Sequence, residues 1–235
     1  GWLFSVDSGL FETILNEGPE ISALLMQGVH PTLFPLGTAA FWLGCSNVAR
    51  ELVSDRPVFL RERRSGLSVP VYLAATFSLQ MALAAIQTFI LMVLIWAMVD
   101  VQTETFLASW SVLLITAASG IAIGLAVSAF APTEVTAISI VPLLLLPQLM
   151  FSGYLKLFST MDGAQEALTS VVPLRWSFES LLRIEYEAFY DSSGPTLEDV
   201  IGFKDAEPIT GFTILAAWTI IGLALALFQL NAATK

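Results

Sequence analysis

Five stretches of this chain carry no formal charge, and each is long enough to cross a lipid bilayer as a helix. They run from Ile21 to Ala49, Ser65 to Val99, Thr105 to Thr133, Val135 to Leu155 and Pro208 to Thr234. A helix needs roughly 20 apolar residues to traverse the hydrocarbon core. Lipid offers no partner to backbone amides and carbonyls, so helices satisfy them internally. The pattern predicts an all-α membrane protein, a polytopic helical bundle. Of the 235 residues, 56% are hydrophobic and 13% charged, against about 25% charged in a soluble domain. That deficit excludes an ordinary soluble domain and a disordered chain. A net charge of −10 leaves no basic surface for nucleic acid. Cys45 has no second cysteine to pair with, which excludes an internal disulfide and a cysteine metal cage.

The expected spans are about 21–46, 69–99, 105–130, 136–154 and 209–231. A segment 1–20 precedes them, and loops 47–68 and 155–208 are the longest connections. Arg50, Arg56, Arg61, Arg63 and Arg64 all fall in the first of these loops, and the next basic residue is Lys156. The positive-inside rule places that loop in the cytoplasm. By alternation Asp100–Glu104 is an external turn, Ala131–Glu134 an internal one, and 155–208 an external, acidic loop. Segment 1–20 then lies outside, with Asp7, Glu12, Glu17 and Glu20 and no basic residue. Gly1 to Ser5 reads as the end of a helix lying upstream, which gives six spans with both ends cytoplasmic. A five-span protein with an external N-terminus is the alternative.

Gly120, Gly124 and Ser128 recur at four-residue spacing on the third span. Small residues on one stripe let a second backbone approach, within the chain or across a dimer. Pro142 and Pro147 interrupt the fourth span and free carbonyls that a neighbour or a cavity must satisfy. In the external loop Pro173 opens a helix ending near Phe189-Tyr190. Arg175, Glu179, Arg183 and Glu187 alternate in sign along it at helical spacing. Leu174, Phe178, Leu181 and Leu182 fill much of its remaining surface. An amphipathic helix at the membrane interface or dipping into it fits this pattern, and so does a lid on the outer ends of the spans.

Catalytic chemistry finds little support. No Lys follows a Gly, so there is no Walker A phosphate loop. His30 is the only histidine, which rules out a zinc pair of histidines. Ser119-Gly120 with His30 as base would suit an intramembrane serine protease, but nothing in the sequence joins them. Asp100, Glu104 and Glu134 sit at span ends, so an ion relay lacks the mid-span acids it needs. The spans suit apolar or amphipathic molecules. The loop 47–68 carries a short charged amphipathic pattern that fits docking on a soluble partner or on anionic headgroups, and a solvated anchor fits equally.

A resemblance then sharpens the reading. Arg50-Glu51, Arg56-Pro57-Val58-Phe59-Leu60-Arg61-Glu62-Arg63-Arg64-Ser65-Gly66 and the following Tyr72 resemble the first cytoplasmic loop of ABCG/White-type ABC exporters. Phe151-Ser152-Gly153 is similar to the motif at the outer end of that family's fifth helix. Pro173 to Leu182, with Glu185 after it, resembles its external segment before the last helix. The three matches stand in the family's order. The resemblance implies an ABCG-like six-helix transmembrane domain whose first helix is not in this chain, working as a dimer. It implies a coupling region at Arg50, Glu51, Arg56, Phe59, Arg61 and Glu62 that touches a nucleotide-binding domain, fused upstream or separate. It implies a substrate cavity on the dimer axis, with Leu36, Ala40 and Leu43 on one span and Leu146 and Leu149 on another. Tyr154 and Leu155 fall where relatives place an apolar plug, and the Tyr departs from the Leu pair of drug-exporting members. The external loop lacks the family's cysteines, which suggests a bacterial relative in the plasma (inner) membrane.

The expected function is the permease part of an ATP-driven exporter of an apolar or amphipathic substrate. The chain itself would hold no cofactor and no catalytic site; ATP and Mg would bind the nucleotide-binding partner. Its other partners would be a second membrane half, most simply an identical one, and membrane lipid. A non-transporting accessory or scaffold protein is the rival reading, and a channel or secondary transporter the third.

Overall fold

The computed structural model describes residues 29–98, 103–154, 163–189 and 208–233. Segment 1–20, Leu155 and the acidic stretch 190–207 lie outside the described residues. Every regular element among the described residues is a helix. In chain order they are α1 (Val29–Val48), α2 (Glu51–Ser54), α3 (Arg56–Arg64), α4 (Val69–Met98), a 3-10 turn (Thr103–Thr105), α5 (Phe106–Phe130), α6 (Glu134–Met150), α7 (Gly163–Val171), α8 (Pro173–Phe189) and α9 (Pro208–Ala232). Segments Val69–Ala97, Phe106–Phe130 and Ile209–Ala232 are long and apolar enough to cross a membrane, and α6 is a shorter apolar helix.

The breaks have local causes. Proline disfavours helix at the residue before it, and Ala131, before Pro132, is extended at φ −65°, ψ 136°. Thr133 then caps α6, its Oγ1 accepting the Thr136 N–H at 3.2 Å. Gly66 ends the α3 turn at φ 103°, a left-handed conformation that favours glycine. The Leu67 N–H donates back to the Glu62 carbonyl at 3.1 Å.

α5 is the axis of the bundle and packs most extensively on α1 and α9. Its small stripe makes that possible. A Cβ on Gly120 would lie 2.5 Å from the Phe41 carbonyl oxygen, and one on Gly124 2.6 Å from that of Cys45. α1 reciprocates at Gly44, where a Cβ would sit 2.5 Å from the Ala117 oxygen. These pairs set α1 and α5 side by side and parallel, so the stripe packs within the chain. On the other flank Gly222 of α9 meets the Ala122 backbone. α4 runs antiparallel, with Trp110 Nε1 donating to Thr88 Oγ1 at 3.2 Å. Phe59 of α3 meets Tyr72 of α4 at 4.9 Å between ring centroids. The bundle thus has an elbow end, at α2–α3, and an opposite end where α5 and α9 begin.

α7 and α8 form a hairpin that enters from that opposite end. At its apex the Val171 carbonyl accepts Trp218 Nε1 at 2.8 Å, and Thr116 Oγ1 bonds Ser177 Oγ at 2.7 Å. Thr116 lies about ten residues along α5, so the hairpin reaches about 15 Å inward at 1.5 Å per residue. α8 packs against α1, α5, α6 and α9. It is no surface lid: Leu174, Phe178, Leu181 and Leu182 are all buried, and so are Arg175, Glu179, Arg183 and Glu185. The structure thus sets α8 among α1, α5, α6 and α9 rather than over their ends.

Candidate functional site

Two groups of polar residues interrupt this apolar bundle, one at each end. At the elbow end α2 and α3 turn beneath the C-terminus of α5. The last carbonyls of a helix have no partner within it. Arg56 Nη2 supplies one, donating to the oxygens of Ala131 at 2.8 Å and Ala129 at 3.0 Å. The Val53 N–H donates to Ser128 Oγ at 3.1 Å. Phe59 is 2% exposed and closes the elbow against α4. Arg63 Nη1 donates to the Leu67 carbonyl at 2.9 Å.

The six residues singled out in this region therefore divide. Arg56 and Phe59 face the bundle and fasten the elbow to it. Arg50, Arg61 and Glu62 are exposed, Glu51 is half-buried, and none of these four forms an ion pair among the described residues. Their charges stand on the outer edge of a braced element.

At the opposite end Glu179 bridges two arginines. Its Oε2 lies 2.9 Å from Arg175 Nη2, and its Oε1 accepts from Arg183 Nη2 at 2.9 Å and Nε at 3.2 Å. The Arg175 guanidinium also lies 3.8 Å from the Trp176 ring centroid, a cation–π contact. Buried charges persist only when paired and hydrogen-bonded. Nearer the rim, Glu185 Oε1 accepts from Thr105 Oγ1 at 2.7 Å and Ser109 Oγ at 3.1 Å. Burial pushes this carboxyl above its ordinary value, and the two hydroxyl bonds pull the other way.

The candidate cavity residues are not gathered into one face. Leu36 and Ala40 are buried in the chain's own core, Leu43 and Leu149 are half-buried, and Leu146 is 55% exposed. The outward face of α1 is Pro35 and Trp42, and that of α6 includes Pro142, Leu143, Leu146 and Met150. α1 is apolar on most sides, so periodicity could not choose its buried face. Tyr154 stacks on Phe34 at 4.4 Å and meets Phe178 edge-on at 5.8 Å, which ties the end of α6 to α1 and α8. Gly153 makes that turn at φ 85°. Gln148 was not a sequence candidate, yet its Oε1 accepts the Leu174 N–H at 3.2 Å and holds the hairpin apex. Ser119 donates to the Thr116 carbonyl at 2.7 Å, a helical back-bond that gives a nucleophile no base. No cluster of metal-ligating side chains occurs among the described residues.

The comparisons agree with this architecture. An ABC transporter ATP-binding/permease protein of Mycobacterium tuberculosis is 27% identical over 150 residues, covering 61% of this chain. The match takes in 17% of that relative's length. The family described as ABC-2 type transporter matches residues 24–186, from α1 through the braced elbow and the small-stripe axis into the buried hairpin. With more than half its length matched by that family, this chain belongs to the ABC-2 type transporter family.

Proposed function

We propose that this chain is the membrane-spanning permease part of an ATP-driven exporter in the plasma membrane, moving an apolar or amphipathic substrate. α1, α4, α5, α6 and α9 are its spans, with the elbow end in the cytoplasm. The observation that carries the reading is the elbow itself: braced to α5 by Arg56 and to α4 by Phe59, with Arg50, Arg61 and Glu62 left exposed. A braced element with a free charged edge can transmit a push from a soluble ATPase domain to the helices. ATP and Mg²⁺ belong to that partner domain.

Two copies pair across the outward faces of α1 and α6, and the cavity between them is walled by Trp42, Leu43, Leu143, Leu146 and Leu149. Transport follows from differential affinity for substrate in the inward- and outward-facing states, whose balance the ATPase shifts. The test is reconstitution of the full transporter in proteoliposomes with a fluorescent short-chain phospholipid analogue. Vanadate-sensitive, ATP-dependent movement is expected. Movement without nucleotide, or none with it, would overturn the reading.

A further inference from the structure

Between α5, α6 and α9 lies a groove of about 400 Å³. Ile123, Val127 and Phe130 of α5, Ile140 and Leu144 of α6 and Leu225 of α9 form its walls. Its two large polar side chains, Gln148 and Trp218, are at the hairpin end and engaged, with the Leu174 N–H and the Val171 carbonyl. A buried water needs two to four polar partners. This groove offers too few, so its lining suits an apolar chain better than water.

The elbow end of the same groove differs. Ala131 lines it, and the Ala131 carbonyl is the one that Arg56 holds at 2.8 Å. A guanidinium carries five N–H donors; Arg56 directs Nη2 to the Ala129 and Ala131 carbonyls, and its Nε and Nη1 have no protein partner among the described residues. The loop around it holds five arginines against Glu51, Asp55 and Glu62, in a chain of net charge −10. An apolar slot whose elbow-end residue, Ala131, is held by a guanidinium just outside the lining is complementary to a lipid with an anionic phosphate.

The groove also lies apart from the proposed dimer face. Ile140, Leu144 and Gln148 follow one another at four-residue spacing along one side of α6, and the exposed Pro142, Leu146 and Met150 project from the other. A second copy seated on the latter leaves the groove open to the bilayer.

We propose that this groove binds one anionic phospholipid of the cytoplasmic leaflet, with an acyl chain between α5, α6 and α9 and the phosphate on Arg56. The inference rests on the membrane-permease reading above. It is tested on the complete transporter in nanodiscs of phosphatidylcholine containing phosphatidylglycerol with a photoactivatable acyl chain. Labelled peptides are then mapped by mass spectrometry. Labelling is expected on residues 123–132 and 218–225, displaced by unlabelled phosphatidylglycerol but not by phosphatidylcholine. That competition uses the unaltered protein, so it does not depend on a variant folding. Arg56→Gln is expected to lower the labelling about five-fold, the effect of one basic group near an anionic lipid surface. Equal labelling by a phosphatidylcholine probe would overturn the proposal. So would labelling no greater than on the exposed α4 face at Leu79 and Ile86, or a disulfide between two copies carrying Leu225→Cys. Flux in proteoliposomes tests the permease reading separately, so the two failures are distinguishable.

Discussion

Arg56 and Ala131 are 75 residues apart in sequence, and a 2.8 Å hydrogen bond from Nη2 to the carbonyl oxygen joins them. The bond places a positive charge on the carbonyl end of α5, where the helix dipole favours it. It also makes the elbow and the axial helix one mechanical piece. Arg56→Gln is expected to lower stability by about 2 kcal/mol, the range for hydrogen bonds to charged groups. Arg56→Lys is expected to recover part of this, since an ammonium lacks the planar fork. Thermal unfolding in detergent checks both.

Arg61 and Glu62 stand on the exposed edge of the same elbow. Arg61→Ala and Glu62→Ala are expected to leave the unfolding temperature of the chain nearly unchanged while separating ATP hydrolysis from substrate movement. Hydrolysis and flux measured on the same proteoliposomes decide it. Unchanged flux per ATP would remove both residues from the coupling assignment.

Glu179 sits between Arg175 and Arg183 on a buried helix. Removing the shared carboxylate leaves two guanidinium groups facing each other out of water. Glu179→Leu is expected to cost about 3–5 kcal/mol, the range for breaking a buried pair. Glu179→Leu combined with Arg183→Met is expected to restore a substantial part. Yield of monodisperse protein and its unfolding temperature give the readout.

Gly120 meets the Phe41 carbonyl where α1 and α5 touch. Gly120→Val is expected to force the helices apart at about 1–3 kcal/mol or more, as overpacked cores do. Gly66→Ala places no atom against a neighbour and meets only the cost of φ 103°. It is expected to be milder, about 1–2 kcal/mol. If the two variants unfolded at the same temperature, steric contact would not be what limits position 120.

Glu185 joins α8 to Thr105 and Ser109, and burial raises its carboxyl above 4.5. A folded value above the unfolded one means the native state binds the proton more tightly. Stability from this group is fully present below about 4.5 and is lost as pH rises through the folded value. Glu185→Gln is expected to flatten that part of the pH profile while keeping an acceptor for both hydroxyls. A melting series over mildly acidic pH tests the sign; a profile that climbs with pH through this window in the unaltered protein would contradict it.

The helical class and the near positions of the apolar helices were legible because lipid imposes one rule on a whole segment: long, apolar and uncharged. The motif residues were legible as a pattern, and several have local reasons to exist. Gly66 and Gly153 adopt positive φ, and Pro132 bends Ala131 out of the helix. Which way a side chain faces was not legible. Leu36 and Ala40 look no different from Leu43 in an apolar helix, yet they point into the core.

The sequence by itself determined where the chain is apolar, where its positive charge is concentrated and which residues are small enough for close packing. These are additive properties of neighbouring residues, so a linear string carries them. Tertiary structure alone decided that the Arg175–Glu179–Arg183 ladder is buried, that Arg56 braces the elbow while Arg61 is exposed, and that a groove opens beside Ala131. Each depends on a contact between helices distant in sequence. An alternating charge pattern is the same string whether water or protein surrounds it, and only the packing of α8 among its neighbours distinguishes the two.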